Sequence, residues 1–210
     1  MIIVRYADDW VAGFKTQWQA KRFQREVGQR LERFGLTLHE KKTRLIEFGR
    51  YAQERRSRRG QGKAQTFDFL GFTHCCATDR KGRYALLRLS SRKRLSAKLQ
   101  AIEQALRRRM TCSTDEQGQY LQAVLLGHAR YHGVPNNGQR LRTFRYQVAK
   151  RWFKVLRRRG HRRPITWKRM SALIKRWLPH PRICHPYPSQ RLIVRPKARA
   201  VCGSSARTDL

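Results

Sequence analysis

Acidic side chains are what this sequence has least of. Its 210 residues carry 13 Asp and Glu against 49 Lys and Arg, for a formal net charge of +36, and no carboxylate stands between Glu116 and Asp209. An ordinary solvated helix face alternates sign and gains i,i+4 ion pairs. The bases of this acid-free stretch have no such neighbours, so they repel one another until a polyanion relieves them. Long apolar runs are missing too: none approaches the roughly 20 residues a helix needs to cross a bilayer, which argues against a membrane-spanning protein. Met1-Ile2-Ile3-Val4 runs straight into Arg5 and Asp8-Asp9, without a signal-peptide core. Paired cysteines are absent as well. The five present (Cys75, Cys76, Cys112, Cys184, Cys202) show no C-x-x-C spacing, and Cys75-Cys76 after His74 lacks the separation that zinc ligands prefer. Reduced thiols in a cytoplasmic protein are the expectation.

What is there is enough to fold. Hydrophobic content is 40%, with five Trp and nine Phe, so the chain is not a disordered polybasic tail. Charge of this sign and size calls for nucleic acid, and the densest clusters are Arg157-Arg158-Arg159 and Arg162-Arg163. Each phosphate they neutralise would release condensed counterions.

Patterning predicts an α+β chain. Ile2 to Tyr6 and Trp10 to Phe14 are β-rich runs around a polar break, which predicts a hairpin with Asp8-Asp9 at its tip. From Thr16 the period changes: Ala20, Phe23, Val27, Leu31 and Phe34 predict an amphipathic helix ended by Gly35. Leu36-Thr37-Leu38 and Leu45 to Phe48 read as short strands, residues 50–65 as a loop, and Thr66 to Phe72 as one β segment containing a glycine. A polar turn at Asp79 to Arg83 precedes Tyr84-Ala85-Leu86-Leu87. The second half is helical. Expected helices have the stripes Leu95-Leu99-Ile102-Leu106 behind a cap at Ser90 or Ser91, and Tyr120-Leu121-Val124-Leu125 behind Thr114. Beyond a turn at 133–138, Leu141-Phe144-Val148-Trp152-Val155 marks a third helix. A shorter one runs from Thr166 through Met170, Leu173, Ile174 and Trp177 to Pro179, before a proline-containing irregular tail. Trp152, Trp167 and Trp177 fall on apolar stripes and are expected in the core. His128 and His132, four apart on one helix face, are expected to pack or to contact RNA.

Asp8-Asp9 carries the chemistry. Two adjacent carboxylates in a chain that otherwise collects cations disfavour each other's ionisation unless a cation lies between them. Mg²⁺ accepts one or two carboxylates together with phosphates and waters. Tyr6-Ala7-Asp8-Asp9 between apolar strands resembles the active-site hairpin of reverse transcriptases. Gly35-Leu36-Thr37-Leu38 leading to Lys41-Lys42-Thr43 resembles the next palm motif, and Thr66-Phe67-Asp68-Phe69-Leu70-Gly71-Phe72 the primer grip. Leu126-Gly127-His128-Ala129-Arg130-Tyr131-His132-Gly133 resembles a helix of domain X of group II intron-encoded maturases, with His128 where an aromatic usually follows the glycine.

The resemblance implies a partial reverse-transcriptase palm over 1–73, a helical thumb and domain X over 74–160, and a basic nucleic-acid-binding segment over 161–210. Asp8 and Asp9 would be catalytic metal ligands for Mg²⁺, Lys42 would lie near the incoming triphosphate, and Phe69, Leu70 and Gly71 would hold the primer. Arg130, Arg145, Lys150, Arg157, Arg158, Arg159, Arg162 and Arg163 would face nucleic acid. The implied partners are intron RNA, template–primer duplex and target DNA. The family's first catalytic aspartate and its fingers precede the Tyr-Ala-Asp-Asp hairpin, so the expectation is a C-terminal part that needs an upstream fingers–palm chain and does not polymerise alone. The alternatives are an RNA-binding maturase-like module or truncated relic without catalysis, and a retron or diversity-generating reverse transcriptase, which would not need the acid-free half.

Overall fold

The computed structural model describes residues 1–39, 42–79, 81–159 and 165–187. Strands β1 (Ile2–Tyr6) and β2 (Asp9–Gly13) form an antiparallel hairpin with Tyr6 opposite Asp9. Helix α1 (Gln17–Glu32) follows, its first turn capped by the Thr16 hydroxyl, which accepts from Gln19 N–H. Gly35 ends it as expected. At φ 67° it sets up the double bond of a Schellman cap, Leu36 N–H to Leu31 carbonyl and Gly35 N–H to Glu32 carbonyl, both 3.0 Å.

The expected strands at 36–38 and 45–48 do not form. A strand exists only where a ladder partner lies beside it. Here backbone donors have other partners: Leu36 N–H goes to the Leu31 carbonyl, Glu47 N–H to Gln65 Oε1, and Gly49 N–H, just past the second segment, to Cys76 Sγ. The expected loop at 50–65 contains a short helix, α2 (Ala52–Arg58). Its i,i+4 partners Glu54–Arg58 and Gln53–Ser57 support one turn after another, and Ala52 is buried.

The glycine-containing β segment is two strands, not one. Strand β3 (Phe67–Phe69) turns at Leu70-Gly71 into β4 (Phe72–Thr78), which pairs in turn with β5 (Tyr84–Ser90) in a three-stranded antiparallel sheet. Helix α3 (Arg92–Arg108) leaves that sheet directly. Ser91 sits at its N-cap position but makes no cap bond; its hydroxyl donates to Asp68 Oδ2 instead. Helices α4 (Thr114–His132), α5 (Gly138–Arg159) and α6 (Trp167–Trp177) complete the bundle. The α4 cap is Ser113, one residue before the expected Thr114, and it accepts from Glu116 N–H.

All four helices share one core. Leu99, Ile102 and Leu106 of α3, Leu121 and Leu125 of α4, and Phe144, Val148 and Val155 of α5 form one buried cluster with Trp152, and Met170 of α6 enters it. Trp177 packs against this core, but Trp167, expected inside, is half exposed at the start of α6 with its ring 4.4 Å from that of Phe153.

Two polar residues are fully buried in this region, and both are satisfied. Gln117 accepts from Trp152 Nε1 (2.9 Å) and donates to the Arg109 carbonyl (2.7 Å). Asn137 accepts from Ser90 N–H (3.0 Å) and donates to the Ser90 hydroxyl and the His132 carbonyl, each 2.8 Å. A glycine makes the α4–α6 contact possible. A Cβ on Gly118 would lie 2.4 Å from the Trp177 ring, so the indole occupies the space a side chain would take. Gly118→Ala should lower stability by about 1–3 kcal/mol in urea unfolding, despite alanine's better helix propensity; unchanged or raised stability would show that the indole simply moves aside.

Candidate functional site

Hairpin register decides where the two expected metal ligands stand. With Tyr6 paired to Asp9, the turn consists of Ala7 and Asp8, and Asp9 is already the first residue of β2. The pair therefore straddles the turn and the strand instead of forming the tip together. Ala7 holds φ 52°, a left-handed conformation that costs an ordinary residue about 1–2 kcal/mol, and Arg5 Nε donates to its carbonyl at 2.8 Å. Strain of this kind collects at functional turns. Both carboxylates are exposed. Among the described residues no group of three or more His, Cys, Asp or Glu side chains is placed to hold a metal. Two adjacent exposed carboxylates still fit Mg²⁺, which takes the rest of its shell from water and phosphate oxygens. Lys42 is exposed, just beyond residues outside the description, and its N–H donates to the His39 carbonyl.

The segment expected to grip a primer is built more tightly. Phe69 and Phe72 face each other across a two-residue turn in which Leu70 and Gly71 both hold positive φ, 49° and 80°, the pattern of a type I′ turn. Glycine takes that geometry freely; leucine does not. Three contacts hold Leu70 and its neighbour there. Tyr131 of α4 donates its hydroxyl to the Leu70 carbonyl at 2.8 Å, Ser91 N–H donates to the Gly71 carbonyl at 3.0 Å, and the Tyr131 ring stacks on Phe72 at 5.7 Å. Asp68, one residue before Phe69, accepts from Thr73 and Ser91 hydroxyls. A strained turn is thus clamped between the first turn of α3 and the last turn of α4. Tyr131 supplies two of these contacts; in the sequence it stands only within the domain X-like motif, with no role of its own. The Leu-Gly turn flanked by two phenylalanines was the available signal for this clamp.

The basic residues divide into those on the surface and those used by the fold. Arg142, Tyr146, Lys150, Lys154 and Arg157 recur every three or four residues along the exposed side of α5, opposite its buried stripe. Lys150 lies over the Tyr146 ring and Arg157 over Phe153. Arg158 and Arg130 are exposed as well. Two of the expected nucleic-acid contacts have internal work. Arg145 donates Nε and a terminal nitrogen to the Leu178 carbonyl at 3.1 and 2.9 Å, capping the end of α6, and burial pulls its pKa down. Arg159 donates to the Cys112 carbonyl at 2.6 Å. Arg162 and Arg163 lie outside the described residues. An ion pair joins α5 to α3 through Arg151 and Glu103; the exposed stripe itself carries cations and one ring.

His128 and His132 sit between these regions. His128 lies 4.0 Å from Phe144 and 4.3 Å from His132, ring to ring, and one nitrogen of each imidazole is buried without a partner. Burial first, then the neighbouring His132 and Lys98, push His128 down to about 3; burial and then Arg94 lower His132, and burial and then Arg88 lower His74. The consequence has a definite sign. Between the ordinary histidine pKa near 6.5 and these lowered values, the unfolded chain binds protons that the native chain refuses, so stability is complete above pH 6.5 and declines as pH falls. Melting temperature should drop from pH 7 to pH 5, above the carboxylate range, and His128→Phe should flatten that drop. A native melting curve that does not move in this window would show that these imidazoles protonate in place.

No curated protein matches the chain. A family model does: with a strained hairpin bearing Asp8 and Asp9 and a clamped Phe-Leu-Gly-Phe turn on the page, residues 1–74 match the reverse transcriptase (RNA-dependent DNA polymerase) family.

Proposed function

We propose that this chain is the C-terminal part of a group II intron reverse transcriptase and maturase, binding intron RNA and template–primer duplex and supplying two carboxylates for RNA-directed DNA synthesis. The observation that carries this reading is the family match over 1–74 coinciding with two exposed carboxylates, Asp8 on a strained turn and Asp9 at the head of the strand that follows. In the proposed division, residues 1–73 end the palm, residues 74–160, which begin with the rest of β4 and β5 before the helices, form thumb and domain X, and the basic residues from 161 onward extend the nucleic-acid surface.

Each group then has a task. Asp8 and Asp9 would hold Mg²⁺, and the chemistry it would supply there is Lewis-acid activation of the primer hydroxyl and charge stabilisation of the leaving pyrophosphate. Lys42 offers a cation to the triphosphate. The Leu70-Gly71 backbone, fixed by Tyr131 and Ser91, holds the primer end, since nucleotidyl transfer depends on alignment to within about an ångström. The α5 stripe neutralises backbone phosphates. β1 and β2 also have a partner to find. Ile2 is 72% and Val4 50% exposed, and an isolated two-stranded hairpin is at best marginal in water. We assign its cover to the polypeptide that carries the fingers and the remaining palm strands, with the third catalytic carboxylate.

Primer extension on a primed RNA template, with that fingers–palm polypeptide supplied, separates the enzyme from a binding module. Asp8→Asn with Asp9→Asn should reduce Mg²⁺-dependent synthesis by at least about 100-fold, while RNA affinity stays within twofold (~0.4 kcal/mol). Full synthesis by the double variant would reject the catalytic role and leave a basic module. The surface cations are tested by salt. Because Arg159 is engaged with Cys112, Arg157→Ala with Arg158→Ala should shallow the log–log salt slope of RNA binding by roughly 1.4 to 1.8, two phosphate contacts' worth; an unchanged slope would take this end of α5 out of the interface.

A further inference from the structure

Between α3 and α4 lies an open cavity of about 590 Å³ that the polymerase reading leaves unused. Its contents are chemically specific. Arg94 and Lys98 line it from α3, and Tyr120, His128, Tyr131 and His132 from α4. The volume is in the range of small-ligand sites. Four rings give a stacking surface, and two cations stand on one side with no carboxylate among the lining residues. Tyr131 is fixed in advance by its hydroxyl bond to Leu70 and its stack on Phe72. Both imidazoles stay neutral at physiological pH and lack a partner on a buried nitrogen. Ser91, at the head of α3, leaves the first turn of that helix without a side-chain cap, which adds partial positive charge beside Arg94.

We infer that this cavity receives one unpaired nucleotide of a bound RNA, its base among the Tyr120, Tyr131 and histidine rings and its phosphate on Arg94 and Lys98. Rings and cations on adjoining walls match the two halves of a nucleotide; an apolar ligand would leave Arg94 and Lys98 unanswered, and a bare phosphate would leave the rings so. The cavity also places the nucleotide beside the clamped Leu70-Gly71 turn, because Tyr131 and Ser91 belong to both. A flipped or bulged residue would thereby register an RNA on the bundle while the α5 stripe holds its backbone. This inference rests on the RNA-binding part of the proposed function.

Gly127 provides a clean test. It lines the cavity, a Cβ there would meet nothing within 4 Å, and it lies within α4, so Gly127→Leu fills the space with a better helix former and should not lower the melting temperature. Fluorescence anisotropy compares three RNAs: a perfect duplex, the same duplex with one bulged nucleotide, and the same bulge made abasic. Stacking a base on aromatic side chains predicts that the native chain prefers the bulge over both others by at least about fivefold. In Gly127→Leu that preference disappears while affinity for the perfect duplex is kept. Equal affinity for all three RNAs, or a preference that survives Gly127→Leu, overturns the cavity assignment alone. Failure of the native chain to bind any of them overturns the RNA reading beneath it. A free ribonucleoside monophosphate that binds more tightly than the bulged RNA would assign the cavity to a small ligand instead.

Discussion

One buried amide joins the two halves of this protein. Asn137, at the turn before α5, uses its oxygen on the Ser90 backbone and its nitrogen on the Ser90 hydroxyl and the His132 carbonyl. The two bonds to Ser90 tie the end of the β-sheet to the helical bundle, and the third holds the turn to the end of α4. A side-chain amide without solvent must satisfy both ends or lose the free energy of several hydrogen bonds, so the joint has one geometry and little slack. From it follow the direction in which α3 leaves β5, the approach of α4 to the β3–β4 turn, and the reach of Tyr131 to the Leu70 carbonyl. Ser90, which Asn137 holds, lines the cavity, and the next residue, Ser91, lines it too and bonds the strained turn.

The charge of the chain takes its meaning from the same packing. Nine cations lie along α5 with no carboxylate on that helix, which would be unfavourable for an isolated helix. Here the apolar stripe from Leu141 to Val155 buries one side so thoroughly that the cations are left on the other, where solvent screens them. The exceptions are informative: Arg151 pairs with Glu103 of α3, and Arg145 and Arg159 turn back to carbonyls at Leu178 and Cys112. The last two fasten α6 and the α3–α4 connection to α5. A basic residue count therefore overstates the surface available to phosphate. Strap residues after α6 are fastened likewise. Cys184 and His185 N–H groups both donate to the Gly133 carbonyl, and a Cβ on Gly133 would lie 2.3 Å from the Ala129 carbonyl.

Periodic features were legible before any coordinates. The hairpin, α1 with its glycine stop and all four bundle helices follow from alternation, from three-and-four spacing and from Thr16, Gly35 and Thr166, because burying a stripe is an additive, local demand. What failed was short and depended on neighbours. Leu36 to Leu38 and Leu45 to Phe48 have strand composition, but their backbone groups find other partners. Residues 52–58 have loop composition, yet an ion pair, a side-chain hydrogen bond and a buried Ala52 make about two turns of helix. Thr66 to Phe72 has strand composition throughout, and leucine seldom accepts the positive φ that a turn at Leu70-Gly71 needs; Ser91 and the tyrosine 61 residues later hold that turn.

The amino-acid sequence alone determined the charge, the acidic pair, the reverse-transcriptase resemblance and the helical core, since each depends on residue type or on spacing within one element. Tertiary structure alone decided that Asp8 and Asp9 straddle a turn and a strand, that Arg145 is spent inside the fold, that Gly118 must be small beneath Trp177, and that two cations meet four rings in one cavity. Apart from the hairpin register, those facts are distances between segments far apart in the chain. Such distances are set by the packing of whole faces and by the satisfaction of buried polar groups, and neither can be summed from one segment at a time.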